Sequence, residues 1–130
     1  MELISSQQAY KFLAPHIHKE VEEFWSVALT SSKKIIKIEM LFRGTVDQCL
    51  VHPRDVFRFA LKANASSVLV AHNHPAGDCA PSEQDILFTK RLKKAAQLLQ
   101  IELVDHLILG EKSYFSFCDR DSNWRNPDPL

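Results

Sequence analysis

The chain has 130 residues, a length that suits one domain and lets about two thirds of its surface be buried. Hydrophobic content of 45% and charged content of 25% are ordinary globular values, and 16 basic residues cancel 16 acidic ones. No global positive field exists to hold a phosphate backbone, so direct DNA binding is expected to be weak or absent without a local patch. Cys49, Cys79 and Cys118 are odd in number, far apart and form no C-x-x-C pair, which argues against a disulfide framework and a cysteine-rich zinc site. The start, "MELISSQQAYKF", is polar where a signal peptide would be apolar, and no apolar run approaches membrane-spanning length. A cytoplasmic setting without membrane contact is the expectation.

Ser5 and Ser6 offer caps for a helix through about Leu13, ended by Pro15 because proline disfavours helical geometry in the residue before it. Phe24–Thr30 and Lys34–Gly44 read as two strands joined by the polar turn "SSKK". Pro53 suits the first turn of a helix to about Ala63, with Val56, Phe57, Ala60 and Leu61 on its apolar face. Ser66–His72 is almost wholly apolar and fits a central strand covered on both faces. Ser82–Gln100 is a long amphipathic helix whose Ile86, Leu87, Leu92, Ala95, Ala96 and Leu99 are spaced as one buried stripe. Glu102–Gly110 and Tyr114–Cys118 follow as strands. The polar, proline-bearing tail, residues 119–130, is expected to be loose, leaving one domain over residues 1–118. The order α-β-β-α-β-α-β-β implies an α/β sandwich, a mixed sheet with helices on its faces.

Within this frame "AHNHPAGDCAPSEQDI" carries the chemistry. His72 and His74, two apart on an extended backbone, project to the same side, and Pro75 pushes His74 toward that geometry. His16 and His18 share the H-x-H spacing but have no third ligand nearby, so they are read as solvent-facing. Ser82 and Asp85 form S-x-x-D, a variant of the capping box that places the Asp85 carboxylate in the first helical turn, facing the loop of His74. Two imidazoles at a strand end and a carboxylate at the next helix start make the three-ligand, open-position arrangement of a catalytic zinc site. The ligands are expected at the rim of the sheet, so that removing His72 spares the fold. Hydrolysis also needs a proton acceptor, and "EVEEF" offers Glu20, Glu22 and Glu23. Alternation turns neighbouring strand residues to opposite faces, so the amide replacement of whichever glutamate faces away is expected to do little. A zinc deaminase is excluded, because it wants H-x-E followed by P-C-x-x-C.

The run H-x-H-P, Pro81 and S-x-x-D resembles the metalloprotease motif of the JAMM (MPN-plus) superfamily. More specifically, "LFRGTVDQCLVHPRDVFRFALKANASSVLVAHNHPAGDCAPSEQD", with "LVDHLILG" and "YFSF" after it, resembles the bacterial RadC family over about Ser5 to Phe117. The resemblance implies a cytidine-deaminase-like α/β sandwich in which His72, His74 and Asp85 bind zinc, with water as fourth ligand. It implies that Ser82 hydrogen-bonds that water or the developing oxyanion, and that Glu22, two positions before Phe24, is the base, with Glu23 still open. The activity implied is hydrolysis of a peptide or isopeptide bond in a peptide or protein substrate; a homodimer is left open. Many RadC proteins carry an N-terminal helix-hairpin-helix region, which this chain is too short to hold. Ala76 stands where the family often has serine, Cys79 reads as an ordinary loop residue, and His52, Arg54 and His106 stay outside the site as helix-start or supporting groups. The rival reading is a non-catalytic DNA-repair-associated module that keeps the metal site for stability.

Overall fold

A computed structural model of the chain describes residues 2–44, 51–75 and 77–125; Cys49, Ala76 and positions 126–130 lie outside them. The elements run α1 (Ser6–Leu13), β1 (Glu22–Leu29), β2 (Ile35–Gly44), α2 (Pro53–Lys62), β3 (Ser67–Asn73), α3 (Glu83–Leu99), β4 (Glu102–Leu109), β5 (Tyr114–Ser116) and α4 (Phe117–Arg120). The five strands form one mixed sheet in the order β2-β1-β3-β4-β5. Only β3 and β4 are parallel, and α3 is the crossover such a pair needs. This is the expected mixed sheet flanked by helices.

Alternation along β3 makes the layers. Val68 and Val70 enter the core beneath α2 and α3, while Leu69 and Ala71 enter the core on the α1 side. All seven β3 residues are buried, as an apolar central strand requires. Continuing the period puts His72 on the α3 side and Asn73 on the α1 side. That one step sends His72 and Asn73 to opposite faces of the sheet.

Several boundaries differ from expectation. β1 begins at Glu22 rather than Phe24, because Glu22 and Glu23 pair with Gly44 and Arg43 and lengthen the ladder. The last strand stops at Ser116, whose hydroxyl accepts from the Asp119 N–H and turns the chain into α4. Residues 119–125 depart from the loose tail expected there. Trp124 is only 7% exposed, its indole donates to the Leu103 and Val104 carbonyls at 3.2 and 3.0 Å, and the ring sits in the core with Leu92 and Ala96. The apolar stripe of α3 is narrower than its composition suggests: Thr89, Leu92 and Ala96 are buried, whereas Ile86, Leu87 and Leu99 are exposed. At about 100° per residue, Ile86 and Leu87 lie outside the ridge that Asp85, Thr89, Leu92 and Ala96 turn inward. On α2, likewise, Phe59 takes the core place expected of Leu61, which is exposed.

Asp105 ties β4 to α4. Its buried carboxylate accepts from the Ser116 hydroxyl (2.6 Å) and from the His106 and Cys118 N–H groups (2.7 and 2.9 Å). Burial pushes its pKa up to about 6, the hydrogen bonds pulling the other way. A folded pKa above the ordinary 3.8 means that ionisation opposes folding: the protonated group is at no disadvantage in acid, and stability is lost as pH rises through that window. Asp105→Asn keeps an acceptor for the two N–H groups and removes the charge. Between about pH 4 and pH 7 the variant is expected to gain on the parent by about 3 kcal/mol in urea unfolding. A stability difference independent of pH would refute this account.

Candidate metal centre

Local structure aims three side chains at one point. The His74 N–H donates to the Leu109 carbonyl at 2.9 Å, so the backbone stays extended one residue past β3 before Gly77, at φ +119°, turns it. The β4–β5 turn presses against this loop: a Cβ on Gly110 would stand 2.6 Å from the Gly77 carbonyl, so only glycine fits. At the start of α3 the capping box is complete. The Asp85 N–H donates to Ser82 Oγ (3.1 Å) and the Ser82 N–H to Asp85 Oδ2 (2.8 Å), which holds the carboxylate against the helix start. His72 Nε2 then lies 3.3 Å from His74 Nε2 and 3.2 Å from Asp85 Oδ1, and His74 Nε2 lies 3.2 Å from Asp85 Oδ2.

These atoms form a group able to hold a metal ion. Bonds of about 2.0–2.1 Å in a tetrahedral site imply ligand–ligand edges of roughly 3.3–3.4 Å, close to the separations seen. Electron pairs face inward. His74 Nδ1–H donates to the Asp78 carbonyl (2.9 Å), which leaves its Nε2 bare toward the cluster. Burial opposes ionisation of Asp85, yet the His72 and His74 rings facing it hold its carboxyl well below the usual range. The His74 pKa is raised, chiefly by the Asp85 carboxylate that its Nε2 faces. Two imidazole nitrogens and a carboxylate at such distances are able to share one cation.

His72, His74, Asp85 and Ser82 line a cleft of about 590 Å³, and Glu22 lines the same cleft. Glu22 shares a strand face with Phe24, whose ring stacks on His72 at 6.1 Å. Burial raises the Glu22 pKa, and the two histidines oppose that rise. Glu23 points through the other side of the sheet and is fully buried. Its carboxylate accepts from the His18 N–H and the Trp25 indole (3.0 Å each) and faces His18 Nδ1 and Arg43 Nε at 3.0 and 3.4 Å. Glu20 is exposed and does not line the cleft. Periodicity left three glutamates open; the structure brings Glu22 alone of them to the histidines.

Asn73, between the two histidines, governs the approach of that strand. Its Oδ1 accepts from the Glu23 N–H (2.8 Å), and its Nδ2 donates to the His18 and Val21 carbonyls (3.0 and 2.9 Å). Asn73→Ala strands three main-chain groups and is expected to cost about 3 kcal/mol in thermal or urea unfolding. A loss under about 1 kcal/mol would show that the clamp is not what holds β1 there.

Residues 3–124 match the RadC-like JAB domain. The chain belongs to that family. Among its relatives, the UPF0758 protein of Thermotoga maritima is 46% identical over 116 residues, 89% of this chain and 52% of that protein. That of Symbiobacterium thermophilum is 39% identical over 121 residues, 92% of this chain and 52% of that protein. That of Staphylococcus carnosus is 43% identical over 108 residues, 83% and 48% respectively. The chain thus spans about half the length of these curated relatives.

In this RadC-like JAB domain the other titratable candidates fall outside the cluster. Cys79 Sγ sits 3.4 Å from the Ser113 hydroxyl, His52 and Arg54 are exposed at the start of α2, and His16 and His18 are exposed near the Glu23 side of the sheet. His72, expected at a rim, is 3% exposed, because its ring also reaches His106 in the core beneath α3. His106 is wholly buried, and burial holds its pKa well below the ordinary value. Sequence reading missed Asn73 and Thr89, and gave His106 only a supporting place without its partners. Asn73 had a signal, a polar residue on the inward face of an apolar strand; His106 depends on the pairing of β3 with β4, which no local pattern reveals.

Proposed function

We propose that this domain is a zinc-dependent hydrolase of the JAMM type that cleaves a peptide or isopeptide bond. The observation that carries the reading is the convergence of His72 Nε2, His74 Nε2 and the Asp85 carboxylate in the one cleft that Glu22 also lines. Two imidazoles and a carboxylate form a borderline ligand set that suits zinc. Zinc held there supplies Lewis acidity, which polarises a carbonyl and lowers the pKa of water to about 7. Glu22 accepts the proton of the attacking water and passes it to the leaving amine; partial burial makes it a stronger base than an exposed carboxylate. Ser82 Oγ accepts from the Asp85 N–H, and its own hydrogen is available to donate to the developing oxyanion, a role typically worth about 3 kcal/mol. The substrate is a peptide or protein, and direct DNA binding plays no part in the chemistry.

The test begins with protein purified without chelator. Elemental analysis is expected to find about one zinc per chain. A panel of fluorogenic peptide and isopeptide substrates is then compared across the native, chelated and zinc-restored protein, with activity following zinc. Absence of bound metal even after zinc supplementation would sink the catalytic reading. Zinc without any cleavage, joined to a salt-dependent shift of labelled DNA, would favour the repair-associated module instead.

A further inference from the structure

His72 offers one ring nitrogen to the cluster, and the other begins a chain of hydrogen bonds. His72 Nδ1 lies 2.8 Å from His106 Nε2, His106 Nδ1 lies 2.6 Å from Thr89 Oγ1, and Thr89 Oγ1 donates to the Asp85 carbonyl at 2.8 Å. The last bond sets the polarity of all the others. A carbonyl only accepts, so Thr89 commits its single hydrogen to Asp85 and must accept from His106. His106 therefore carries its hydrogen on Nδ1 and presents a bare Nε2, to which His72 Nδ1 must donate. What remains on His72 is a bare Nε2 facing His74 and Asp85.

We infer that Thr89 and His106 are positioning residues that lock His72 in its Nδ1–H tautomer, with the Nε2 lone pair aimed at the metal. The chain is a closed loop, running from the ring of one ligand to the backbone of another. Its parts are placed by separate elements. Asp85 and Thr89 stand four apart on α3 and so share a face. On β4, His106 pairs in parallel register with Val70 of β3, and so stands beside His72 on the α3 side of the sheet. The imidazole of His106 is held by rings: Phe117 stacks on it at 4.9 Å, with Phe24 and Phe88 at 6.1 and 6.4 Å. A second proton on this ring would reverse its bond to His72. Among the described residues, however, no carboxylate hydrogen-bonds to it, and an uncompensated charge in an aromatic enclosure is costly. Ligating histidines ordinarily donate to a carboxylate, a carbonyl or water. A neutral imidazole backed by a hydroxyl provides the same acceptor without adding negative charge behind the ligand.

The metal clause of this inference rests on the proposed zinc site; the tautomer clause does not. The test therefore reads both, in the wild type, Thr89→Val and Thr89→Ser. Valine keeps the volume of threonine and removes the hydroxyl, which strands His106 Nδ1–H and favours moving that proton to Nε2. Serine restores the hydroxyl. Long-range proton–nitrogen correlation spectra of the metal-free chain at alkaline pH, where imidazoles are neutral, are expected to show a single Nδ1–H tautomer for His72 in wild type and Thr89→Ser. In Thr89→Val the spectra should show a mixed or reversed one. Zinc affinity, from competition with a chromophoric chelator, is expected to fall about 10- to 100-fold in Thr89→Val and to recover with serine. A hydrogen on Nε2 of His72 in the wild type overturns the inference, and so does a folded Thr89→Val with unchanged tautomer or unchanged zinc affinity. If the valine variant does not fold, the wild-type spectrum still decides. If the wild type binds no zinc, the proposed function fails, while the spectra continue to judge the tautomer lock by itself.

Discussion

Glu22→Gln is expected to leave metal content unchanged and to slow hydrolysis by about two to four orders of magnitude. The amide keeps the size of the side chain and its seat beside Phe24 in the cleft, and it replaces the basic carboxylate with a group that takes up no proton. Burial raises the Glu22 pKa in the metal-free cleft and a bound cation opposes that rise, and activity should fall on the acid side as Glu22 takes up a proton. Equal rates for Glu22→Gln and the parent would remove Glu22 from the chemistry. Glu23→Gln is the control, and it is not the near-silent change that strand alternation alone suggests. Its buried carboxylate accepts from His18 and Trp25, and an amide NH₂ directed at Arg43 or those donors leaves partners unmet. A stability loss of about 1–3 kcal/mol is expected, with normal turnover per folded molecule. The two variants thus separate chemistry from folding on neighbouring residues.

His74→Ala is expected to weaken zinc binding by at least about a hundredfold, since losing even a supporting partner of a ligand costs 10- to 100-fold. Zinc should raise the thermal midpoint of the parent and fail to do so in the variant, because a ligand that binds only the folded state stabilises it by mass action. His74 is the better choice of the two histidines. Its side chain is 24% exposed on the loop after β3, whereas His72 is in hydrogen-bond contact with buried His106. Asp85 is a poor choice for the same reason, as it also caps α3 through Ser82. Unchanged zinc affinity in a folded His74→Ala would mean that the three side chains do not form the metal site.

Local rules made much of this legible in the sequence. Strand alternation put His72 and His74 on one side, proline kept His74 extended, and the S-x-x-D box held Asp85 at the start of α3; each rule acts within a few residues. The element order followed from the same short-range signals, and the family resemblance pointed to Glu22 through its spacing from Phe24. Amphipathic spacing was less reliable for α3. It marks which residues could be buried, and Ile86, Leu87 and Leu99 stay exposed because the helix meets the sheet along a narrower ridge.

By itself, then, the sequence determined the type of fold and the three side chains of the candidate metal cluster, since those depend on backbone geometry over a few positions. Tertiary structure alone decided the rest. Glu22 faces the cleft and Glu23 the opposite side because β1 pairs with β3 in one register, Phe24 opposite His72. Asn73 became a clamp because the segment from His18 to Val21 folds back over it. Trp124 was drawn from a polar tail into the core by the apolar surface left open between α3 and β4. His106 and Thr89 meet because a parallel crossover sets β4 beside β3 under α3. Such contacts join residues distant in the chain, and their geometry is fixed by strand register and side-chain packing, which no local pattern encodes.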